Sequence, residues 1–148
     1  MSTGRRPPTN GATVRLQTRV EWIDTDAAGI YHNSSVLRYV ESAEAELMRQ
    51  QGVDRYFGVA PRVRFKVDFE APLFFGQQVT VDFRVARMGV TSLTFDFGVW
   101  GETFEAVPRR RAAVGSCVTV HVAGGHREGA RAVPWPADWV ARLGGAVS

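Results

Sequence analysis

What this chain lacks narrows it before any motif is read. Among 148 residues there is a single cysteine, Cys117. No internal disulfide can form, and a reducing, cytoplasmic setting is the expectation. Nothing near Cys117 in sequence would lower its pKa, so it reads as a small core residue rather than a nucleophile. No apolar run approaches the ~20 residues needed to span a bilayer. Lysine occurs once, at Lys66, which makes the other basic side chains all Arg. Arginine's planar fork suits phosphate or carboxylate. The net charge is nevertheless only +3, and no basic stripe, helix-turn-helix, zinc or RNA-stacking signature accompanies it, which argues against nucleic acid as a partner. Cys, His and acidic residues never fall at metal-ligand spacing, and His121 and His126 stand without suitable neighbours, so neither a metal nor any other cofactor is expected.

What is present fits one globular domain over 13–148. Hydrophobic residues make up 45% and charged residues 22%, ordinary proportions in a length that can bury a real core. Residues 1–12 are polar, carry Pro7-Pro8 and contain no apolar signal core, and read as a disordered lead-in.

Periodicity then supplies an α+β architecture. Arg62 to Glu70 alternates polar and apolar without a break, the pattern of a strand with one wet face. Val79, Val81, Phe83 and Val85 repeat it, as do Leu93, Phe95, Phe97 and Val99. Val114, Val118, Val120 and Val122 mark a late strand. A first strand runs from Val14 to Ile23, interrupted at Thr18. Gly76-Gln77 and Met88-Gly89-Val90 are turn candidates that make their flanking strands antiparallel neighbours. Between the first two strands, Ser34 to Gln51 has helical spacing: Val36, Val40, Ala43 and Leu47, widened by Leu37 and Met48. Glu44 falls on that margin, which is therefore expected to meet solvent or a partner. Asn33 or Ser34 can cap the helix start and Gly52 its end.

The compact arrangement is one long helix along one curved antiparallel five-stranded sheet. Five strands at about 4.8 Å make a sheet roughly 24 Å wide, whereas a helix is about 10–12 Å across. The remaining apolar face predicts a homodimer, or a dimer of dimers. The alternative is that the Tyr56–Val59 loop and the Trp135/Trp139 segment cover it.

The chemistry concentrates at Asp24-Thr25-Asp26-Ala27-Ala28-Gly29-Ile30-Tyr31-His32-Asn33. Two carboxylates and a small-residue turn are aimed at the start of the long helix, where unpaired N–H groups and the positive dipole end lie. A carboxylate beside preorganised donors is what acyl transfer requires, a base or nucleophile with a place for the oxyanion. Asp24, before the turn, is equally explained as a strand-ending or capping residue.

Strand, Asp-Thr-Asp-Ala-Ala-Gly-Ile-Tyr, long helix and four further strands resemble the hot-dog fold acyl-CoA thioesterases of the 4-hydroxybenzoyl-CoA thioesterase family. The likeness runs from Val14 to Val122 and includes Pro61 and Ala71-Pro72-Leu73-Phe74-Phe75-Gly76. The resemblance implies that Asp26 is the catalytic carboxylate and that the backbone N–H of Asn33 polarises the thioester carbonyl. Gly29, Tyr31 and His32 then line the substrate. Several acyl-CoA members carry a His where Asn33 stands, whereas here His32 falls one residue earlier. That shift turns its side chain by about 100° on a helix, leaving His32 either a neutral ring stacked beside Tyr31 in the pocket wall or a proton carrier. Arg87, in the turn after the third strand, lies near where the family places phosphate-contacting cations. Arg109-Arg110-Arg111 precedes the last strand as a loop that clamps phosphate, with Arg110 as the contact, or simply as a solvated charge run.

The expected activity is hydrolysis of an acyl-CoA, or of an acyl-carrier-protein thioester, to a free acid and a thiol. A non-catalytic acyl-CoA-binding module is the alternative, and a hot-dog dehydratase a more distant one. Ser34 and Ser35 lack a nucleophile-elbow pattern. Glu41, on the helix, reads as a partly solvated face.

Overall fold

A computed structural model describes residues 11–124 and 129–144. The lead-in over 1–10 and His126 lie outside the described residues. Five strands form one antiparallel sheet: β1 (Thr13–Arg19), β2 (Arg62–Phe69), β3 (Gln78–Met88), β4 (Ser92–Gly101) and β5 (Arg110–Val120). Their order across the sheet is β1-β3-β4-β5-β2. The alternating residues of β3 and β4 turn one way, and none of Val79, Val81, Phe83, Val85, Leu93, Phe95, Phe97 and Val99 is more than 3% exposed. On that inner face lies α1 (Ser34–Gln51), packed over β1 and β3, with Val36, Val40, Ala43, Leu47 and Met48 buried as their spacing requires. Burying a Val or Leu side chain stabilises by about 1.5–3 kcal/mol, so this stripe fixes the helix to the sheet. Gly52 ends α1 at φ 69. Cys117 is fully buried, and burial pushes its thiol up to about 12.

Four local expectations change. β1 runs unbroken through Thr18 and stops at Arg19, after which Trp22–Asp24 makes a single 3-10 turn. Gly76-Gln77 does turn, but not as a hairpin: β2 pairs with β5 and β3 with β1, so residues 70–77 carry the chain across the sheet. Met88–Val90 does join neighbours, β3 and β4.

Glu44 is the third correction. It is 1% exposed, accepting from Tyr56 Oη at 2.8 Å and Arg62 Nη2 at 2.8 Å. Tyr56 Oη also shares a 2.8 Å hydrogen bond with Thr119 Oγ1, and Arg62 Nη1 reaches the exposed Glu41 at 3.2 Å. Burial holds the Glu44 carboxyl above its ordinary range, with Tyr56 and Arg62 pulling against it.

Fourth, the chain covers part of its own sheet. The short helix α2 (Tyr56–Val59) buries Tyr56, and the ribbon β6 (Val122–Ala123) with β7 (Arg131–Ala132) leads to α3 (Ala137–Leu143), which buries Leu143. Trp135 stacks on Tyr56 at 6.2 Å and donates from Nε1 to Ser92 O at 3.0 Å. Within the expected lead-in, Ala12 is tied down at both ends: its N–H reaches Leu143 O and its carbonyl accepts from Val85. These segments supply part of the cover that a second copy is expected to give the sheet. Among the described residues the outer edge of β2 has no strand partner, and Val63 and Phe69 are exposed on it.

Candidate active site

The paired carboxylates have separate lives. Asp24 is 2% exposed. Its carboxylate accepts from Glu21 N at 2.8 Å, from Tyr39 Oη at 3.1 Å and from the Arg38 guanidinium. Its carbonyl takes His32 N at 2.6 Å and Ser35 Oγ at 3.1 Å. Every oxygen of Asp24 is therefore used to hold the 3-10 turn against the first turns of α1. Tyr39, buried and facing that carboxylate, keeps its phenol proton well above the ordinary range.

Asp26 is exposed. Its Oδ1 accepts from Ala28 N at 2.8 Å and Ile30 N at 3.3 Å, the geometry of an Asx turn. Its own N–H donates to Ile30 O at 2.8 Å, and its carbonyl accepts from Gly29 at 3.0 Å. Oδ2 carries no hydrogen bond among the described residues. The turn closes through Gly29 at φ 76, a conformation that a side chain would strain, and a Cβ there would meet open space. Gly29 thus shapes the turn, and its carbonyl anchors Phe75 N at 3.0 Å.

At the helix start, Ser35 N bonds to His32 O and Val36 N to Asn33 O, whereas the N–H groups of Asn33 and Ser34 have no acceptor among the described residues. Asn33 is the N-cap residue, but its own backbone is already helical (φ −56, ψ −34) and its side chain makes no cap bond. The expected side-chain cap is therefore missing: Ser35 is turned to Asp24, and two donors face outward at the positive end of an 18-residue helix. Sequence reasoning does not pick out the free Ser34 N–H. Nor does it find the Arg38–Tyr39 pair that holds Asp24, although a cation and a phenol within the first two turns of a helix are a visible cue.

The remaining residues divide by location. Tyr31 is 6% exposed, bonded through its N–H to Leu73 O at 3.0 Å, with its phenol held up by burial. His32 is exposed and its ring makes no contact with Tyr31 among the described residues, so the stacked arrangement does not form. Arg87 lies within β3, not in the turn after it. Its strand partner is Thr94, one step past a bulge that Ala86 makes in β3. Because β1 and β3 pair Arg19 with Gln78, the Asp26 turn sits at the opposite end of the sheet from Arg87. The Arg109–Arg111 run is not one loop either, since Arg110 and Arg111 begin β5. Arg111 clasps Glu70 at 2.5 and 3.0 Å, and Arg109 bonds Glu102 at 2.8 Å while lying over the Trp100 ring.

Against known proteins, residues 20–143 match the thioesterase-like superfamily. The chain belongs to that superfamily. The acyl-CoA thioester hydrolase YbgC of Escherichia coli O6:H1 is 29% identical over 91 residues, 58% of this chain and 68% of that protein. Among solved structures of the superfamily's kind, the 4-hydroxybenzoyl CoA thioesterase of Pseudomonas sp. strain CBS-3 superposes with a TM-score of 0.79 at 19% identity, over 89% of this chain and 99% of that one. A thioesterase from Thermus thermophilus, solved with coenzyme A and Zn, has a TM-score of 0.76 at 27% identity over 90% and 93%. The fold is accordingly the hot-dog fold, the helix wrapped in its curved sheet as the α+β reading expects.

Proposed function

We propose that this thioesterase-superfamily member hydrolyses acyl-CoA thioesters with Asp26 as the reacting carboxylate and the N–H groups of Asn33 and Ser34 as the oxyanion site. The observation that carries this is the pairing of a carboxylate with one uncommitted oxygen and two free donors on a helix start. The donors stabilise charge that develops on the carbonyl oxygen, where one such interaction is worth about 10²–10³ in rate. Asp26 takes a proton from water as that water attacks the carbonyl carbon, or attacks it directly to give a mixed anhydride that water then opens. In both routes the C–S bond breaks, the thiolate picks up a proton, and an acid and a thiol leave. His32 stands beside the donors and supplies that proton in this reading.

The assay is thiol release from short, long and aromatic acyl-CoA substrates by the wild type and Asp26→Asn. Loss of turnover in a variant that still folds supports the assignment; wild-type-like rates would remove Asp26 from the chemistry. Thioesters on acyl-carrier protein belong in the same panel. A single turnover in heavy-oxygen water tests for direct attack, because an anhydride that water opens at the Asp26 carboxyl carbon leaves unlabelled enzyme oxygen in the first product.

The reading includes a homodimer. Arg87 stands nine residues along β3 from Gln78, about 30 Å at 3.3 Å per residue, too far to share a substrate with Asp26 in one chain. Among the described residues β2 is an edge strand, paired only with β5 and antiparallel to it. Two copies joined edge to edge about a two-fold axis would pair β2 with β2 and continue the sheet, and light scattering of the purified chain tests for that dimer. A cytoplasmic location rests on the lone buried cysteine; no helix among the described residues is long and apolar enough to cross a membrane.

A further inference from the structure

Two of the three consecutive arginines are spoken for, and the third is not. Strand register separates them. Opposite β4, Trp100 pairs with Arg111 and Gly101 with Arg110. Cross-strand partners share a face, so Arg111 lies with Trp100 on the outer side and Arg110 with Gly101 on the inner side. Gly101 faces inward: a Cβ on it would stand 2.6 Å from Gln77 Nε2 and 2.7 Å from Leu73 Cδ2. Arg110 therefore enters the apolar, helix-bearing side of the sheet beside a residue with no side chain of its own. Its Nε is buried without an acceptor, and the side chain forms no hydrogen bond or ion pair with the described residues. The other buried orphan, Arg62 Nε, belongs to a guanidinium held by Glu41 and Glu44, whereas no nitrogen of Arg110 has an acceptor among the described residues, which leaves it open to one from outside them.

The position of that donor identifies the acceptor. Leu73 to Phe75, the segment packed next to Gly101, is hydrogen-bonded to Gly29, Ile30 and Tyr31 of the Asp26 turn. Arg110 and Asp26 thus flank the same short segment, at the same end of the same chain. One half-buried guanidinium balances one carboxylate, with two parallel hydrogen bonds. A nucleotide's several phosphate charges would stay unbalanced there and favour water.

We infer that Arg110 is a specificity residue for acyl groups that carry a second, free carboxylate, holding that carboxylate while the thioester carbonyl lies at Asp26 and the α1 start. The inference rests on the hydrolase reading only for where the thioester lies. Its test compares adipoyl-CoA with hexanoyl-CoA, equal in length and carrier and differing in the terminal acid. The wild type should favour adipoyl-CoA in kcat/KM, and Arg110→Gln should lower that value by about 10- to 100-fold while leaving hexanoyl-CoA unchanged, with Arg110→Lys partly restoring it. Equal losses on both substrates would assign Arg110 to carrier phosphate or to structure and overturn the inference, as would no loss on either.

Binding is measured apart from turnover, by calorimetry of both thioesters on Asp26→Asn and on Asp26→Asn/Arg110→Gln. Tighter binding of adipoyl-CoA that disappears with Arg110 upholds the inference even where the wild type hydrolyses nothing, an outcome that would sink the hydrolase reading alone. Equal affinities in the Asp26→Asn chain overturn the inference whatever the hydrolysis rates. Melting temperature controls for folding: a side chain with no partners should leave it unchanged or higher on removal.

Discussion

The two ends of α1 are built in opposite ways. At its C-terminal end, polar groups are matched among the described residues except for the buried Nε of Arg62. Glu44, Tyr56, Thr119 and Arg62 bond among themselves, Gly52 turns the chain, Arg142 reaches the last carbonyls, and Trp135 and Trp139 pack over Tyr56. At its N-terminal end, groups are left over: Asn33 and Ser34 N–H, Asp26 Oδ2, the His32 ring, and behind them Arg110. The apolar rings Trp22 (64% exposed) and Phe75 (51%) stand there too, edge to face at 5.4 Å. Folding stability favours satisfied groups everywhere, so surplus donors and acceptors gathered at one end mark what is kept for a ligand. The same helix is an anchor at one end and, in the proposed reading, carries the site at the other.

The sharpest way to break this contrast is at the two aspartates. Asp26→Asn keeps an Oδ1 acceptor for Ala28 and Ile30 and should leave stability within about 0.5 kcal/mol, while thiol release falls by about 10²–10⁴-fold. Asp24→Ala should do the reverse. It strips an acceptor from the buried Tyr39 hydroxyl, from Glu21 N and from Arg38, at a cost of about 3 kcal/mol from one to two unmet groups. Urea denaturation followed by activity per folded molecule tests both. If Asp24→Ala abolished turnover at full stability, the division of labour between the carboxylates would be wrong.

Much of this is legible in one dimension, and the failures share a cause. The limits of α1, 34–51, follow from local spacing, and so do the alternating faces of β3 and β4. The Asp26 turn is readable because its glycine and its position before a helix are consecutive in the chain. Glu44 misleads because its partners Tyr56 and Arg62 lie 12 and 18 positions away, and Thr119 a further 63 beyond Tyr56. A carboxylate on a helix margin looks solvated until those residues fold onto it. The hairpin expected at Gly76-Gln77 fails because strand order is a long-range property, set by where β2 finds an edge. Arg109 to Arg111 look like one cluster, yet the irregular pairing that skips Ala112 opposite β4 decides which guanidinium faces inward. No periodicity announces a bulge.

At the anchored end, Glu44→Gln should cost about 1–2 kcal/mol, since Tyr56 keeps an acceptor while Arg62 loses its close charge. The pH dependence gives a second readout. A carboxyl whose folded pKa is raised holds its proton more tightly in the folded chain than in the unfolded one. Its contribution is complete below the ordinary 4.5 and is lost as pH rises through the folded value. Wild-type stability should therefore decline over that climb, and the untitratable Gln should flatten the slope. Denaturation midpoints from roughly pH 4 to 7 measure it, and identical slopes in the two proteins would show that Glu44 is not held above its ordinary range.

The smallest effect tests whether the anchored end is insulated from the site. Arg142 Nη1 donates to Gly52 O at 2.9 Å and Gln51 O at 3.3 Å, meeting carbonyls at the negative end of the helix dipole. The side chain is exposed, so Arg142→Ala should cost less than about 1 kcal/mol, and salt should shrink that cost further because the charge is screened. Eighteen residues separate this contact from Asn33, about 27 Å along the helix. If matched groups at one end only hold the helix down, kcat and KM for any hydrolysed thioester stay at wild-type values while the melting temperature slips by a few degrees. A change in KM with Arg142→Ala would mean that fraying at the last turn reaches the donors at the first, and the two ends would have to be treated as one coupled element.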